Sequence, residues 1–318
     1  MLLQLRVTVP ADRTARVREL FESDPGTAHL AVISGASVSP AGDLVLADVA
    51  RESADALVSA LRDMDVHRDG AIAITSVDAA VSSAARKAED RAPGDGADAV
   101  VWEQVVRTTD ADSALSFSYV GFLTIATLLA AIAIINDSAI LTIGAMVLGP
   151  EFVPLAALAV AAVQRRPASA RRAASTLVAG FVVAIGFTAV AALVGRALGW
   201  FGPELLSADR PQTGFITAPD KWSLVVAVLA GAAGVLSLTS AKSGALVGVF
   251  ISVTTVPAAA DMAVSLALGG GPEFRSAATQ LGINLAGILV AATLTLAIQR
   301  AVWRRVPGVV PRTGADRH

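Results

Sequence analysis

The chain has 318 residues, of which 54% are hydrophobic and only 16% are charged, whereas a soluble protein of this size carries about 25% charged residues. It contains no cysteine and three histidines, which excludes disulfide frameworks and thiolate zinc sites and leaves little for a histidine-based cluster. The composition therefore argues against an ordinary cytosolic enzyme.

The charges are distributed unevenly along the chain. Residues 1–112 contain 11 Lys and Arg against 19 Asp and Glu, a net charge of −8, and the remainder contains 14 against 8, a net charge of +6. This asymmetry predicts a soluble domain joined to a membrane domain, and the acidic soluble part disfavours nucleic-acid binding. We expect a cytoplasmic domain at 1–78, a linker with an amphipathic helix at 79–112, a transmembrane domain at 113–300 and a basic tail at 301–318.

The first 78 residues have the pattern of a small α+β domain. The pattern indicates a strand at 3–9, a helix from Asp12 to Pro25, strands at 28–36 and 44–49, a helix capped by Ser53 and a strand after Gly70. This βαββαβ order is typical of a ferredoxin-like domain and is similar to the regulatory ligand-binding domains of the ACT type. A small-molecule or ion ligand is therefore expected, and because no signal peptide precedes the first strand, we expect the domain to stay in the cytoplasm.

A carboxylate-rich loop follows the second predicted helix. Asp63, Asp65 and Asp69 could coordinate Ca²⁺ or another cation through oxygen. The spacing differs from that of an EF-hand and Arg68 lies inside the loop, so the alternative interpretation is a solvated connection without a metal. No other cofactor is expected.

The linker contains an amphipathic stretch at residues 99–112. Trp102 within it has two interpretations: an anchor at the membrane interface, or part of an ordinary packed helix.

Six stretches are long enough to cross a bilayer, which requires about 20 apolar residues. They are Leu115–Ile135, Ala139–Val163, Ala173–Gly195, Trp222–Ala241, Ser243–Leu268 and Ala277–Ile298. Four of them carry no charge, and the exceptions contain Glu151 and Asp261. Acidic residues are rarely placed inside a membrane unless they face the bundle interior and serve a function.

Basic residues predict the orientation of these spans. With the N-terminus inside, the inner loops and tail hold ten Lys and Arg and the outer side holds four, among them Arg210. Four arginines of one inner loop are expected to set this topology and to contact anionic lipid: Arg165, Arg166, Arg171 and Arg172. We therefore expect a multi-pass protein of the bacterial inner membrane with both termini cytoplasmic, in contact with the lipid bilayer and assembled as a homo-oligomer.

The two halves of the membrane region resemble each other. Each has a tight turn between its first two spans, at Asn136–Ser138 and Ala241–Ser243, followed by small residues, a proline and an acid. The halves start on opposite sides, which suggests a 3+3 inverted repeat of the kind found in transporters. Asp137 and Lys242 in these turns are interpreted as solvated charges.

Two motifs carry a family resemblance. Leu141–Pro150 (LTIGAMVLGP) and Gly231–Gly244 (GAAGVLSLTSAKSG) resemble signatures of the bacterial integral-membrane "domain of unknown function 389" family over roughly residues 115–260. The resemblance implies an inner-membrane protein of unsettled activity. The chain departs from the family pattern at Glu151, where an apolar residue is usual, and at Ala258, where a second proline is usual.

Helix-breaking residues and intramembrane polar groups define the candidate site. Gly149, Pro150, Pro154 and Pro257 are expected to break or bend helices near mid-membrane and to free backbone carbonyls. Glu151 and Asp261 are the principal candidates for a substrate or ion pathway. Because carboxylates, hydroxyls and carbonyls would line this pathway, we expect it to carry cations or protons. Their candidate partners are Thr142, Thr254, Thr255, Gln280 and Asn284.

Purely structural roles would also explain the same residues. Prolines can serve packing, Gln280 and Asn284 can join helices by hydrogen bonds, and Glu151 can pair with an arginine near the inner face. No catalytic motif of an enzyme is present. We therefore expect a transporter or channel for a small solute or ion, regulated by the cytoplasmic domain; the alternative is a membrane-anchored sensor or signalling scaffold whose spans drive oligomerisation.

Overall fold

The structure, a computed structural model, describes residues 1–92, 94, 96, 99–214, 221–240 and 247–303, except the side chains of residue 112 and residues 247–254. The predicted turn at Lys242 and the tail from residue 304 onward lie outside the described residues. Contacts divide the chain into a first unit (Met1–Val105, Thr239–Ser243, Gln299–His318) and a second (Val106–Leu238, Gly244–Ile298). The boundaries predicted at residues 78 and 112 stay predictions.

The N-terminal part forms a four-stranded sheet with helices. Its elements are β1 (Leu2–Val9), α1 (Thr14–Ser23), β2 (Thr27–Val38), β3 (Ala41–Ala50), α2 (Arg51–Asp63), α3 (Val66–Asp69), β4 (Ala71–Ser76), α4 (Ser83–Arg91) and α5 (Trp102–Asp112). The strand order is β2-β3-β1-β4, and every neighbouring pair is antiparallel. The predicted sequence of strands and helices is thus present, with the short α3 added.

Alternation along β1 creates the core of this sheet. Leu3, Leu5, Val7 and Val9 are fully buried. They pack with apolar residues of α1 and α2, among them Val17, Phe21, Leu57 and Leu61. Because side chains alternate between the faces of a strand, the polar residues between them lie on the other face of the sheet.

The prediction that Ser53 caps α2 is wrong. The helix begins at Arg51 directly after β3, with Ala50 as its N-cap residue. Ser53 therefore lies in the first turn, buried, where its hydroxyl faces Gly26 so closely that a Cβ there would collide with it. Glu52 in the same turn places a negative charge where the helix dipole favours one.

A carboxylate holds the irregular end of the β2–β3 hairpin. The register of β2 shifts between Ile33 and Ser37, and Gly35 there has a φ of +63°. Asp43 accepts hydrogen bonds from Gly35 N (2.8 Å) and Thr14 Oγ1 (2.7 Å). These two bonds stabilise the ionised form and lower the pKa of Asp43 below its ordinary value.

A small polar cluster fastens α4 to the sheet. Ser82 is the N-cap of α4, and its Oγ accepts from Ala84 N and Ala85 N. The same Oγ lies 2.9 Å from His29 Nε2, and His29 Nδ1 lies 3.0 Å from Asp48 Oδ2. Because its hydroxyl oxygen is used as a helix cap, we assign Ser82 a structural role.

Replacing Ser82 by Ala should loosen α4. The variant loses an N-cap worth about 1 kcal/mol, so amide exchange in residues 84–91 of the full-length protein should quicken about fivefold. Hydrogen–deuterium exchange with mass spectrometry measures this. Ser83→Ala, a change at the exposed neighbour, is the matched control; equal exchange in both variants contradicts the assigned cap.

The membrane region consists of apolar helices of different lengths. They are α6 (Phe117–Ile135), α7 (Ala139–Val147), α8 (Phe152–Val163), α9 (Pro167–Ala197), α10 (Lys221–Thr239), α11 (Val247–Leu268) and α12 (Gly271–Trp303), with a 3₁₀ turn at Pro203–Leu206. By length and composition, α6, α9, α10 and α12 can cross a membrane, and α7 with α8 makes a fifth candidate if the bent pair is one span. Large apolar side chains such as Phe187 and Val182 are exposed on α9, as expected where lipid replaces water.

Small residues let neighbouring helices approach closely. A Cβ on Gly231 of α10 would lie 2.9 Å from Ile288 Cα of α12, and a Cβ on Gly287 of α12 would lie 3.0 Å from Ala227 Cβ of α10. Glycine at such positions brings helix backbones into van der Waals contact, which is the main attraction between helices in lipid.

Candidate functional site

A break between α7 and α8 defines the candidate site. The two helices are bent by 54° relative to each other, and Gly149, Pro150 and Glu151 lie between them. Proline cannot donate the N–H that would continue α7, and glycine tolerates the change of backbone direction. Glu151 occupies the N-cap position of α8 and is fully buried.

The other two predicted helix-breaking prolines do not interrupt their helices. Pro154 is the third residue of α8, where an N–H has no helical partner in any case. Pro257 lies inside α11, which continues through it to Leu268. It still has no N–H to offer the carbonyl one turn earlier, so the expected freed carbonyl is compatible with an unbroken helix.

The Glu151 carboxylate at the break is hydrogen-bonded to α11, the helix that contains Pro257. Thr255 Oγ1 donates to Glu151 Oε1 at 2.5 Å, and both side chains are completely buried. Hydrogen bonds to a carboxylate in this environment are stronger than those between neutral groups. The structure thus brings together two of the predicted pathway residues, and it does so across the two halves of the membrane region.

The remaining predicted partners of Glu151 have different environments. Gln280 and Asn284 are both buried, and their spacing of four places them on one face of α12. Thr142 is buried, but its hydroxyl donates to Ser138 O in its own helix at 2.8 Å. The side chain of Thr254 lies outside the described residues. Tyr119 of α6, which the sequence did not single out, is buried and close enough to Glu151 to interact with its charge.

The second intramembrane acid has an arginine partner that the sequence analysis missed. Arg210 Nη1 donates to Asp261 Oδ1 at 3.0 Å, and Arg210 Nη2 donates to Leu205 O at 3.1 Å. The side chains are 12% and 9% exposed. Buried carboxylates are commonly paired with a basic group, so the presence of Asp261 was a signal to search the connections for one.

That arginine belongs to a folded connection, here named the cover segment (residues 198–214). Its Phe201, Leu205 and Leu206 pack against the apolar core of the membrane region, and Thr213 is buried. Asp137 accepts hydrogen bonds from Thr213 N (2.9 Å) and Thr213 Oγ1 (2.8 Å), and Gln212 N donates to it as well. Asp137 is therefore half-buried and hydrogen-bonded to this segment, whereas the sequence was interpreted as placing a solvated charge in the turn.

The proposed Ca²⁺ loop does not assemble. Asp69 pairs with Arg13 at 2.7 Å and Asp65 with Arg68 at 3.3 Å. No group of three acidic, histidine or cysteine side chains that could hold a metal ion exists in the part of the chain that the structure describes. Nearby arginines therefore neutralise two of the three carboxylates, and Asp63, Asp65 and Asp69 do not form a cation site here.

Two residues considered for the membrane surface, Trp102 and Arg166, have protein partners. The Arg300 guanidinium lies 5.8 Å from the centre of the Trp102 ring, and Trp102 N donates to Asp55 Oδ1 at 2.8 Å. These contacts agree with the packed-helix interpretation of Trp102. Burial, the largest effect, raises the pKa of Asp55. Arg166 pairs with Asp110 of α5 at 3.1 Å, so it is not simply a lipid-facing charge.

Comparison with known proteins agrees with the resemblance seen in the sequence. Residues 146–290 match the model of the family described as Domain of unknown function (DUF389). An uncharacterised protein of Methanocaldococcus jannaschii is 29% identical over 170 residues, and the alignment covers 54% of this chain and 50% of that protein. The chain thus spans about half the length of this relative. No solved structure matches this chain. The match of residues 146–290 to this family model agrees with the resemblance that the two motifs indicated.

Proposed function

We propose that the protein is an inner-membrane transporter or channel for a small cation or proton, regulated by its N-terminal domain. The observation that carries the proposal is the hydrogen bond between Glu151 and Thr255. It ties an acid at a helix break to a proline-containing helix, and both groups are buried among apolar helices. A buried carboxylate is expensive in a membrane and is retained where it binds or relays charge.

The proposal includes a topology of six spans with both termini in the cytoplasm. It is supported by the four or five membrane-capable helices, by the length of α11 and by the excess of Lys and Arg on one side of the predicted loops. The inverted repeat and a homo-oligomer belong to the same proposal. The β2-β3-β1-β4 order supports a ferredoxin-like N-terminal domain, whose regulatory role is proposed by analogy.

Flux through proteoliposomes tests the role of Glu151. Glu151→Gln removes the charge but keeps an oxygen that accepts from Thr255, so the fold should survive. We expect its proton, Na⁺ or K⁺ flux, followed with ion-sensitive dyes, to fall at least about tenfold, equivalent to about 1.4 kcal/mol.

The matched control is Glu19→Gln, the same chemical change at an exposed acid of α1. It should transport like the parent. Equal flux in parent, control and Glu151→Gln rules out the pathway role of Glu151. Absence of flux in every protein would instead favour the sensor or scaffold alternative, which the parent's ligand binding can then test.

A further inference from the structure

The cover segment closes one end of the membrane bundle over Asp261. Its Leu206 methyl groups lie 2.9 Å from where a Cβ on Gly270 would be, immediately after the end of α11. Asp261 lies seven residues before that end, or about 10 Å along the helix axis. The carboxylate is thus within two turns of the bundle end that the cover segment occupies.

Two polar attachments hold the segment in this position. One is the set of hydrogen bonds that Asp137 accepts from Gln212 and Thr213. The other is the ion pair between Arg210 and Asp261, in which both side chains are almost completely buried. The first attachment lies near the tight turn between α6 and α7, and the second reaches into the bundle.

The source of Arg210 distinguishes this pair from a fixed structural ion pair. The arginine comes from a connection between helices, whereas Asp261 lies on a membrane helix. Moving the connection can therefore withdraw the guanidinium without breaking any helix. Leu205 O accepts a second hydrogen bond from the same guanidinium, which holds the side chain in an orientation that presents Nη1 to the carboxylate.

We propose that Asp261 is a cation subsite and that Arg210 occupies it as a tethered cation, so that the cover segment is a latch. A free monovalent cation reaches Asp261 from this end only when Arg210 leaves it. The inference rests on the proposed function, since it assigns a cation to the second intramembrane acid. In this proposal the latch closes one side of the pathway that contains Glu151.

Thiol labelling tests the latch without measuring flux. The chain contains no cysteine, so a single introduced cysteine is a background-free reporter. Ser265 lies one helical turn after Asp261 on α11 and is fully buried. In proteoliposomes, Ser265→Cys should react slowly with a membrane-impermeant methanethiosulfonate. Adding Arg210→Ala should accelerate the reaction at least about tenfold, because the cover segment opens more often.

Guanidinium ion is the probe for the cation subsite. Millimolar guanidinium should slow labelling again in the Arg210→Ala background, because it replaces the missing group beside Asp261. The bulkier tetramethylammonium should not, since it has no N–H donors. In Arg210→Ala combined with Asp261→Asn, guanidinium should have no effect on the labelling rate, because the carboxylate that binds it is gone.

Two controls separate opening from misfolding. Arg275→Ala removes an exposed arginine from α12 and should leave the labelling of Ser265→Cys unchanged. Thr188→Cys reports a buried position on α9 and should stay unreactive in the Arg210→Ala background. Labelling of Ser265→Cys that Arg210→Ala does not accelerate overturns the latch, and acceleration without protection by guanidinium overturns the cation subsite. Either result leaves the Glu151 flux test standing.

Discussion

Replacement of Gly231 by Leu should lower the free energy of unfolding by about 3 kcal/mol, the upper part of the range for overpacked sites. A Cβ at this position would lie 2.9 Å from Ile288 Cα and nearer still to the Ile288 carbonyl oxygen. Backbone atoms cannot rotate away as a side chain does, so α10 and α12 must separate. Because packing holds helices together in lipid, the separation forfeits contacts along the whole pair.

Thermal unfolding of the full-length protein in detergent measures this effect. Gly186→Leu on α9 is the matched control, since no neighbouring atom lies within 4 Å of a Cβ there. Leucine has a higher helix propensity than glycine by about 0.8 kcal/mol or less, so the control should be as stable as the parent or slightly more stable. Equal stability of the two variants would contradict the close approach of α10 and α12.

Arg210→Ala should destabilise the protein by about 3–5 kcal/mol, because it leaves the Asp261 carboxylate buried without its counter-charge. With side chains only 12% and 9% exposed, water cannot replace the guanidinium while the cover segment stays in place. The loss should appear first as detachment of the cover segment, which depends on this pair and on Asp137. Chemical denaturation in detergent micelles measures the magnitude.

The double variant Arg210→Ala with Asp261→Asn should recover much of that loss. Replacing the acid by its neutral amide removes the uncompensated charge, and interacting residues of this kind show non-additive effects. Arg275→Ala, a change at an exposed arginine, should have little effect. If the double variant is less stable than Arg210→Ala alone, the two side chains act through contacts other than the ion pair.

Local patterns in the sequence were sufficient to predict the N-terminal elements. Apolar alternation from Leu3 to Val9 gave β1 and its buried face because the period of a strand is two residues. The cap of α2 was mispredicted because β3 leads into the helix without a loop, which makes Ala50 rather than Ser53 the boundary residue. Helix ends depend on the preceding chain as well as on residue preference.

The candidate site was predictable in its acids and only partly predictable in their partners. Glu151 and Asp261 stand out as charges within apolar stretches of the sequence, and Thr255 was predicted as a hydroxyl partner for these acids. Arg210 was only counted among the basic residues of the outer side, and Asp137 was interpreted as a solvated turn charge, since both lie in connections between spans. Their partners are 51 and 76 residues away in the chain, and such pairings leave no local periodicity. The cation site predicted from Asp63, Asp65 and Asp69 did not form, because residues that are close in sequence do not necessarily point their oxygens at one place.

The hydrogen bond between Glu151 and Thr255 has a consequence for the speed of charge transfer. A threonine hydroxyl both donates and accepts, and inside a helix it can turn its hydrogen toward a carbonyl one turn earlier. If Glu151 takes up a proton, the carboxyl group can become the donor and the hydroxyl the acceptor, with the oxygen atoms unmoved. Within this pair, the arrival or departure of a proton then requires the rotation of one hydroxyl and no movement of a helix. Such a rotation takes about picoseconds to nanoseconds, while helix rearrangements take about microseconds to milliseconds.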